Sequence, residues 1–134
     1  HEEGGVSLIN QLCDRFRIPK KYRELAIITS RHHLDCHRIG ELKAATVVDK
    51  LESLDAFRRP DRFQLFLLAC EADARGRKGL ERRAYPQAEQ FNEYFKAASS
   101  LEPNELMDCG LQGKEMAKAI RELRIDALKS HSQK

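Results

Sequence analysis

Apolar residues recur along this chain at helical rather than alternating spacing, a pattern that excludes β-sheet architectures and requires packed helices. Val6, Leu8, Ile9, Leu12, Cys13 and Phe16 form a broad stripe over roughly Glu3 to Arg17. Tyr22, Leu25, Ile28 and Thr29 repeat the spacing between Lys20 and Cys36, and Val47, Val48, Leu51 and Leu54 repeat it between Lys43 and Leu54. The run FQLFLLAC spans two turns with hardly a polar interruption, which predicts that the helix from Pro60 to Arg75 is the central one. Proline suits a first helical turn, so Pro60 and Pro86 mark helix starts. Further helices are predicted from Pro86 to about Ser99 and from Lys114 to about Ser130, with Met116, Ile120, Leu123, Ala127 and Leu128 inward. A short one is predicted within Glu102 to Asp108. The expected fold is all-α, a single domain of six to seven helices.

The chain has 134 residues, 41% hydrophobic and 34% charged, which is enough apolar material for a core beneath a heavily charged surface and argues against disorder. No apolar run approaches the roughly 18–20 residues that cross a bilayer. The opening HEEGG is acidic where a secretion signal would be basic, so a cytoplasmic location is expected. Cys13, Cys36, Cys70 and Cys109 form no CxxC pair and are expected as reduced, mostly buried thiols.

Two clusters bear on chemistry. In RHHLDCHR, the i to i+4 spacing sets His33 and His37 on one helical face, with His32 and Cys36 beside it. Such a pattern fits either transition-metal chelation or a polar helix end whose imidazoles meet the negative dipole. In RGRKGLERR, Arg75, Arg77, Lys78, Arg82 and Arg83 face a single acid, Glu81, on a glycine-punctuated loop. Arginine forks match phosphate geometry, and glycines let backbone approach a ligand closely, although a charge run of this kind also suits a plain solvated surface. Lys114, Lys118 and Arg121 share one face of the last helix, whose amino end follows the GLQG turn and offers free amides to an anion. A phosphate-binding glycine loop with Lys and Ser/Thr, a serine nucleophile elbow and a DxD metal motif are all missing from the sequence. The chain by itself reads as a binding or scaffold module, not a catalyst.

The segment LDAFRRPDRFQLFLLACEADARGRKGLERRAYP, Leu54 to Pro86, continued by Gln87 and Ala88, closely resembles the C-terminal region of gammaproteobacterial CCA-adding tRNA nucleotidyltransferases. RHHLDCHR and GLQGKEMAKAIRELRIDAL resemble that family in order and spacing, so the similarity spans nearly the whole chain. The resemblance implies a parent enzyme that adds or repairs the 3′ CCA end of tRNA from CTP and ATP with Mg2+, through a head absent from this chain. It implies that residues 1–59 are the remainder of an HD-type phosphohydrolase domain, and that residues 60–134 are a helical tRNA-binding region. HD domains of this kind are associated with phosphatase and 2′,3′-cyclic phosphodiesterase activity and with a divalent transition metal such as Ni2+. On the residues matched, His1, His32, His33 and Asp73 correspond to part of an HD metal site whose naming His-Asp dyad is not in this sequence. The resemblance thus implies tRNA as partner, no cofactor required by this stretch alone and no turnover from it. Arg75, Arg77, Lys78, Arg82 and Arg83 are the first RNA-contact candidates, followed by Lys114, Lys118 and Arg121. Arg75 has an alternative role, pairing with Glu71 one turn earlier; Tyr85 is expected to pack on Pro86. Dimerisation through apolar surface on the first helices is a further expectation. Rival readings are a metal-dependent phosphohydrolase and a helical protein-interaction module.

Overall fold

A computed structural model describes residues 2–101 and 110–132. Among the described residues six α-helices follow one another: α1 (Glu2–Phe16), α2 (Lys20–His37), α3 (Ala44–Ser53), α4 (Pro60–Arg75), α5 (Pro86–Ser99) and α6 (Lys114–Ser132). A single 3-10 turn, Ile39–Glu41, links α2 to α3, and there is no strand among the described residues. The fold is all-α, and the predicted helix within Glu102 to Asp108, like Cys109, lies outside the described residues.

Local chemistry sets the helix ends. Pro60 and Pro86 occupy first-turn positions, where a missing N–H costs nothing. Arg17 adopts a left-handed φ of 51°, and the Ile18 N–H reaches back 3.0 Å to the Cys13 carbonyl. The same closure ends α3, with Asp55 at φ 54° and the Ala56 N–H 3.0 Å from the Leu51 carbonyl. Both are Schellman caps built without the usual glycine, and each left-handed residue costs roughly 1–2 kcal/mol.

The core is one cluster that draws on every helix after α1. Val47, Val48, Leu51 and Leu54 are each 1% exposed or less, as the spacing predicts. Phe63, Phe66, Leu67 and Cys70 of α4 meet Phe91, Tyr94 and Ala98 of α5 and Leu128 of α6. Phe63 sets its ring edge-on to Phe91 at 5.2 Å and lies 5.0 Å from Phe95. Burying each such ring contributes about 1.5–3 kcal/mol, so α4 and α5 form the stable centre.

Three helices depart in part from a simple apolar-inward pattern. On α1 only Val6 and Cys13 are buried, while Leu8, Leu12 and Phe16 are more than half exposed; on α4 Leu68 is 61% exposed. Helix α1 packs chiefly along α2, held by Arg23 on Asp14 at 2.6 Å and by Arg31 on Glu3 at 3.3 Å. They approach closely at Gly5, where a Cβ would sit 2.6 Å from the Ser30 hydroxyl. On α6 Leu128 is buried and Met116, Ile120 and Ala127 are half-buried, as the spacing predicts, but Arg121, Arg124 and Ile125 share that burial and Leu123 is 38% exposed. Arginine stems explain the shift. The Arg124 guanidinium lies 3.6 Å over the Phe57 ring, and Arg121 pairs with Asp49 of α3 at 2.5 Å.

Candidate functional site

The basic loop closes over the carboxyl ends of α2 and α4. Residues 76–85 leave α4 at Gly76, turn through Gly79 at φ 89° and enter α5 at Pro86. A side chain at Gly79 would meet no atom, so its left-handed backbone is the reason for glycine there. Tight turns stiffen the loop: the Leu80 N–H donates to the Arg77 carbonyl at 2.9 Å, and the Arg83 N–H to the Leu80 carbonyl at 3.1 Å. Glu81 takes hydrogen bonds from its own backbone N–H and from that of Gly79, which hold its carboxyl below the usual carboxylate range. The one acid of the loop is therefore occupied by backbone, not by the neighbouring arginines.

Beneath the loop lies a polar chain that the helix pattern does not reveal. His37, at the end of α2, sits with Nε2 2.9 Å from Asp73 Oδ2 on α4 and Nδ1 2.6 Å from the Tyr85 hydroxyl. The Tyr85 hydroxyl also reaches Cys36 Sγ at 3.3 Å, and the Cys36 and Cys70 thiols are hydrogen-bonded to each other. Ionised Asp73 can only accept, so His37 Nε2 carries a proton. Tyr85 either accepts from Nδ1–H while donating to Cys36, or donates to Nδ1 while accepting the Cys36 thiol proton. The donor from Cys70 holds Cys36 below the usual thiol range, while bonding to Cys36 and burial drive Cys70 above it. Burial, together with the bond to Cys36, also raises the Tyr85 hydroxyl well above its ordinary value. Cys13, Cys36 and Cys70 are free and buried.

The sequence candidates sort by partner. Arg77, Lys78, Arg82 and Arg83 are exposed, and no ion pair engages their side chains among the described residues. Arg75 behaves otherwise: its guanidinium pairs with Glu71 at 3.2 Å and donates to the Arg83 carbonyl at 3.1 Å, tying the loop's return limb to α4. Lys114 and Lys118 are exposed on α6, whereas Arg121 is committed to Asp49 and lies near Glu52 at 3.8 Å. Tyr85 is not a simple packing residue on Pro86, because its hydroxyl is the hinge of the chain from His37 to Cys36.

Among the described residues, the candidate metal ligands His32, His33 and Asp73 are not gathered into one group. His1 lies outside the described residues. His32 is half-buried near Asp35, 3.6 Å away on its own helix, and His33 Nδ1 is 2.8 Å from the Thr29 carbonyl. Asp73 is taken by His37. Among the described residues no group of three or more His, Cys, Asp or Glu side chains is arranged to hold a metal. None of the described helices is long and apolar enough to cross a membrane.

His37 and Tyr85 were the residues sequence reasoning placed in other roles. Their signal was present, a histidine at a helix end and a tyrosine before a helix-starting proline, but they stand 48 positions apart.

Between loop and floor lies a cavity of about 200 Å3, lined by His37, Asp73, Arg75, Arg77, Arg83 and Tyr85 among others. Such an arrangement can bind an anion on two uncommitted guanidinium groups above a hydrogen-bonded floor.

No family model matches the chain, and no solved structure matches it. Among known proteins it is 48% identical to a multifunctional CCA protein of Nitrosococcus oceani, over 96% of the chain. It is 49% identical to one of Thioalkalivibrio sulfidiphilus over 96%, and 46% identical to one of Hahella chejuensis over 99%. The chain spans 32% of the length of each of these three relatives. Identity at this level over nearly the whole chain places it in the family of the multifunctional CCA proteins, as the counterpart of their C-terminal region.

Proposed function

We propose that this chain is the tRNA-holding part of an enzyme that adds or repairs the 3′ CCA end of tRNA. The observation that carries the reading is the loop from Arg77 to Arg83. It displays four cations without ion pairs among the described residues, while its one acid is turned onto backbone amides. Phosphate contacts of this kind give affinity and register without reading sequence, and selectivity for an RNA then comes from shape. In this reading residues 60–134 form the RNA-facing region, and residues 1–59 are the remainder of an HD-type domain that supports the loop through His37. Nucleotide selection from CTP and ATP, and the Mg2+ chemistry of polymerisation, belong to the parent's head. Lys114 and Lys118 extend the surface along α6; Arg121 and Arg75 serve the fold.

The test is binding of the chain to a tRNA and to a DNA duplex of similar charge across a salt series. Tighter binding to tRNA at every salt concentration supports the reading. Equal weak binding to both would refute it, since generic charge attraction does not distinguish the two polyanions.

A further inference from the structure

We propose that the cavity under the basic loop is a seat for a single phosphate group, held by Arg77 and Arg83 above the His37–Tyr85 floor. The inference deepens the proposed function, and it depends on that reading only for the source of the phosphate.

Size decides what can enter. A cavity of about 200 Å3 holds the volume of roughly six or seven waters at ~30 Å3 each. It falls below the ~300–1,000 Å3 of typical small-molecule sites. A nucleotide with base and sugar does not fit; a phosphate with its ester oxygens does. Charge decides the sign. The lining contains three arginines, and its one carboxylate, Asp73, is bonded to His37. Arg75 is occupied by Glu71 and by the Arg83 carbonyl, which leaves two guanidinium groups uncommitted. They stand on opposite limbs of the loop, before and after the Gly79 turn, so a tetrahedral anion can take a donor fork from each side.

The floor gives the seat its shape. Asp73 anchors His37, Tyr85 anchors both His37 and Cys36, and Gln87 Nε2 donates to the His37 carbonyl at 3.4 Å. These contacts fix the loop's exit at Tyr85, two residues after Arg83, which lines the cavity together with Arg77. His37 and Tyr85 are thus positioning residues, and the arginines are the binding groups.

The experiment is a titration of the isotope-labelled 134-residue chain with orthophosphate at constant ionic strength, followed by nitrogen-detected side-chain and backbone resonances. Saturable shifts confined to Arg77, Arg83, His37 and Tyr85 are expected. Arg77→Gln/Arg83→Gln should weaken that binding about tenfold or more, from loss of charge-assisted hydrogen bonds. Arg58→Gln/Lys96→Gln, which removes equal charge away from the loop, should leave it unchanged. Shifts that do not saturate, or equal losses in the two variants, would overturn the seat. A second titration with tRNA separates the sources. If tRNA moves the same resonances and orthophosphate competes with it, the ligand is an RNA phosphate. If tRNA binds and leaves His37 and Tyr85 unmoved while orthophosphate still saturates the site, the seat stands for free phosphate. Its link to RNA is then wrong. If tRNA fails to bind at all, the proposed function fails, and the orthophosphate result still decides the seat.

Discussion

Two pairs of arginines of equal charge should differ in their effect on RNA binding, because only one pair lacks ion-pair partners. Arg82 and Arg83 are exposed on the loop without ion pairs among the described residues. Arg59 is bonded to Glu24 at 2.8 Å and Arg121 to Asp49 at 2.5 Å. Counterion release sets the size of the effect. Arg77 and Arg83 share one phosphate and Lys78 and Arg82 take one each, so three neutralised phosphates give a slope of log affinity against log salt of about −2.1 to −2.7. Tripling the salt then weakens binding by about 10- to 20-fold. Arg82→Ala/Arg83→Ala leaves two such contacts, a slope of about −1.4 to −1.8, and about a five- to sevenfold loss over the same range. Arg59→Ala/Arg121→Ala removes the same charge but no phosphate contact, so its slope should match the unsubstituted chain. Fluorescence anisotropy with a labelled tRNA at several salt concentrations measures all three. Equal flattening by both doubles would refute the reasoning, since it would mean that net charge, not the loop, is what the RNA meets.

Three further outcomes follow from the geometry. Tyr85→Phe deletes the hydroxyl that joins His37 to Cys36 and should cost about 1 kcal/mol or slightly more in urea denaturation, with faster amide exchange across residues 76–85; unchanged exchange there would show that the loop is held by something else. Arg17→Gly relieves a left-handed non-glycine residue at the end of α1 and should raise stability by about 0.5–1 kcal/mol, a gain that thermal denaturation would register and that a loss would contradict. Glu24, hydrogen-bonded to Arg59, is held below its usual carboxylate value of 4.5. Because its folded value is the depressed one, the stability it contributes is present above the usual carboxylate range and fades as pH falls through the folded value. The stability gap between the chain and Glu24→Gln should therefore close on acidification, and a gap that widened would reverse the assignment.

How much of this was legible in the sequence depended on whether the cause was local. Helix starts at Pro60 and Pro86 are set by the ring and the missing N–H of one residue, so they can be read directly. The α3 face was equally plain, because Val47, Val48 and Leu51 are the large apolar residues of that helix, with Leu54 just past its end. On α6 the apolar count misled at one position: Leu123 is exposed while Arg121 and Arg124 pack inward, one neutralised by Asp49 and the other laid over Phe57. The α1 stripe is plain as an apolar face, and Leu8, Leu12 and Phe16 of that face lie exposed on a helix that packs chiefly along α2. The floor of the candidate site was hidden for a different reason. It joins positions 36, 37, 70, 73 and 85, and no window of sequence contains them together.

The same reasoning explains why net charge was a poor guide to the loop. The chain carries 24 basic and 21 acidic residues, close to balance. Away from the loop many of those charges cancel at short range: Arg23 with Asp14, Arg38 with Glu41, Lys50 with Asp35, Arg58 with Asp55. Each such pair is worth little to stability, about 0–1 kcal/mol at the surface. Its larger effect is electrostatic. A cancelled pair contributes almost no field beyond a Debye length of about 8 Å, so the distant potential comes from the charges left over. Glu81 would offset one of them if it faced its arginine neighbours, but the Gly79 turn brings backbone amides to its carboxylate instead. One glycine in a left-handed conformation therefore leaves the fourth loop cation without an ion-pair partner. Gly79→Ala, which strains that turn without removing a charge, should weaken tRNA binding while leaving net charge untouched. Unchanged affinity in that variant would show that the loop's charge acts regardless of its fold.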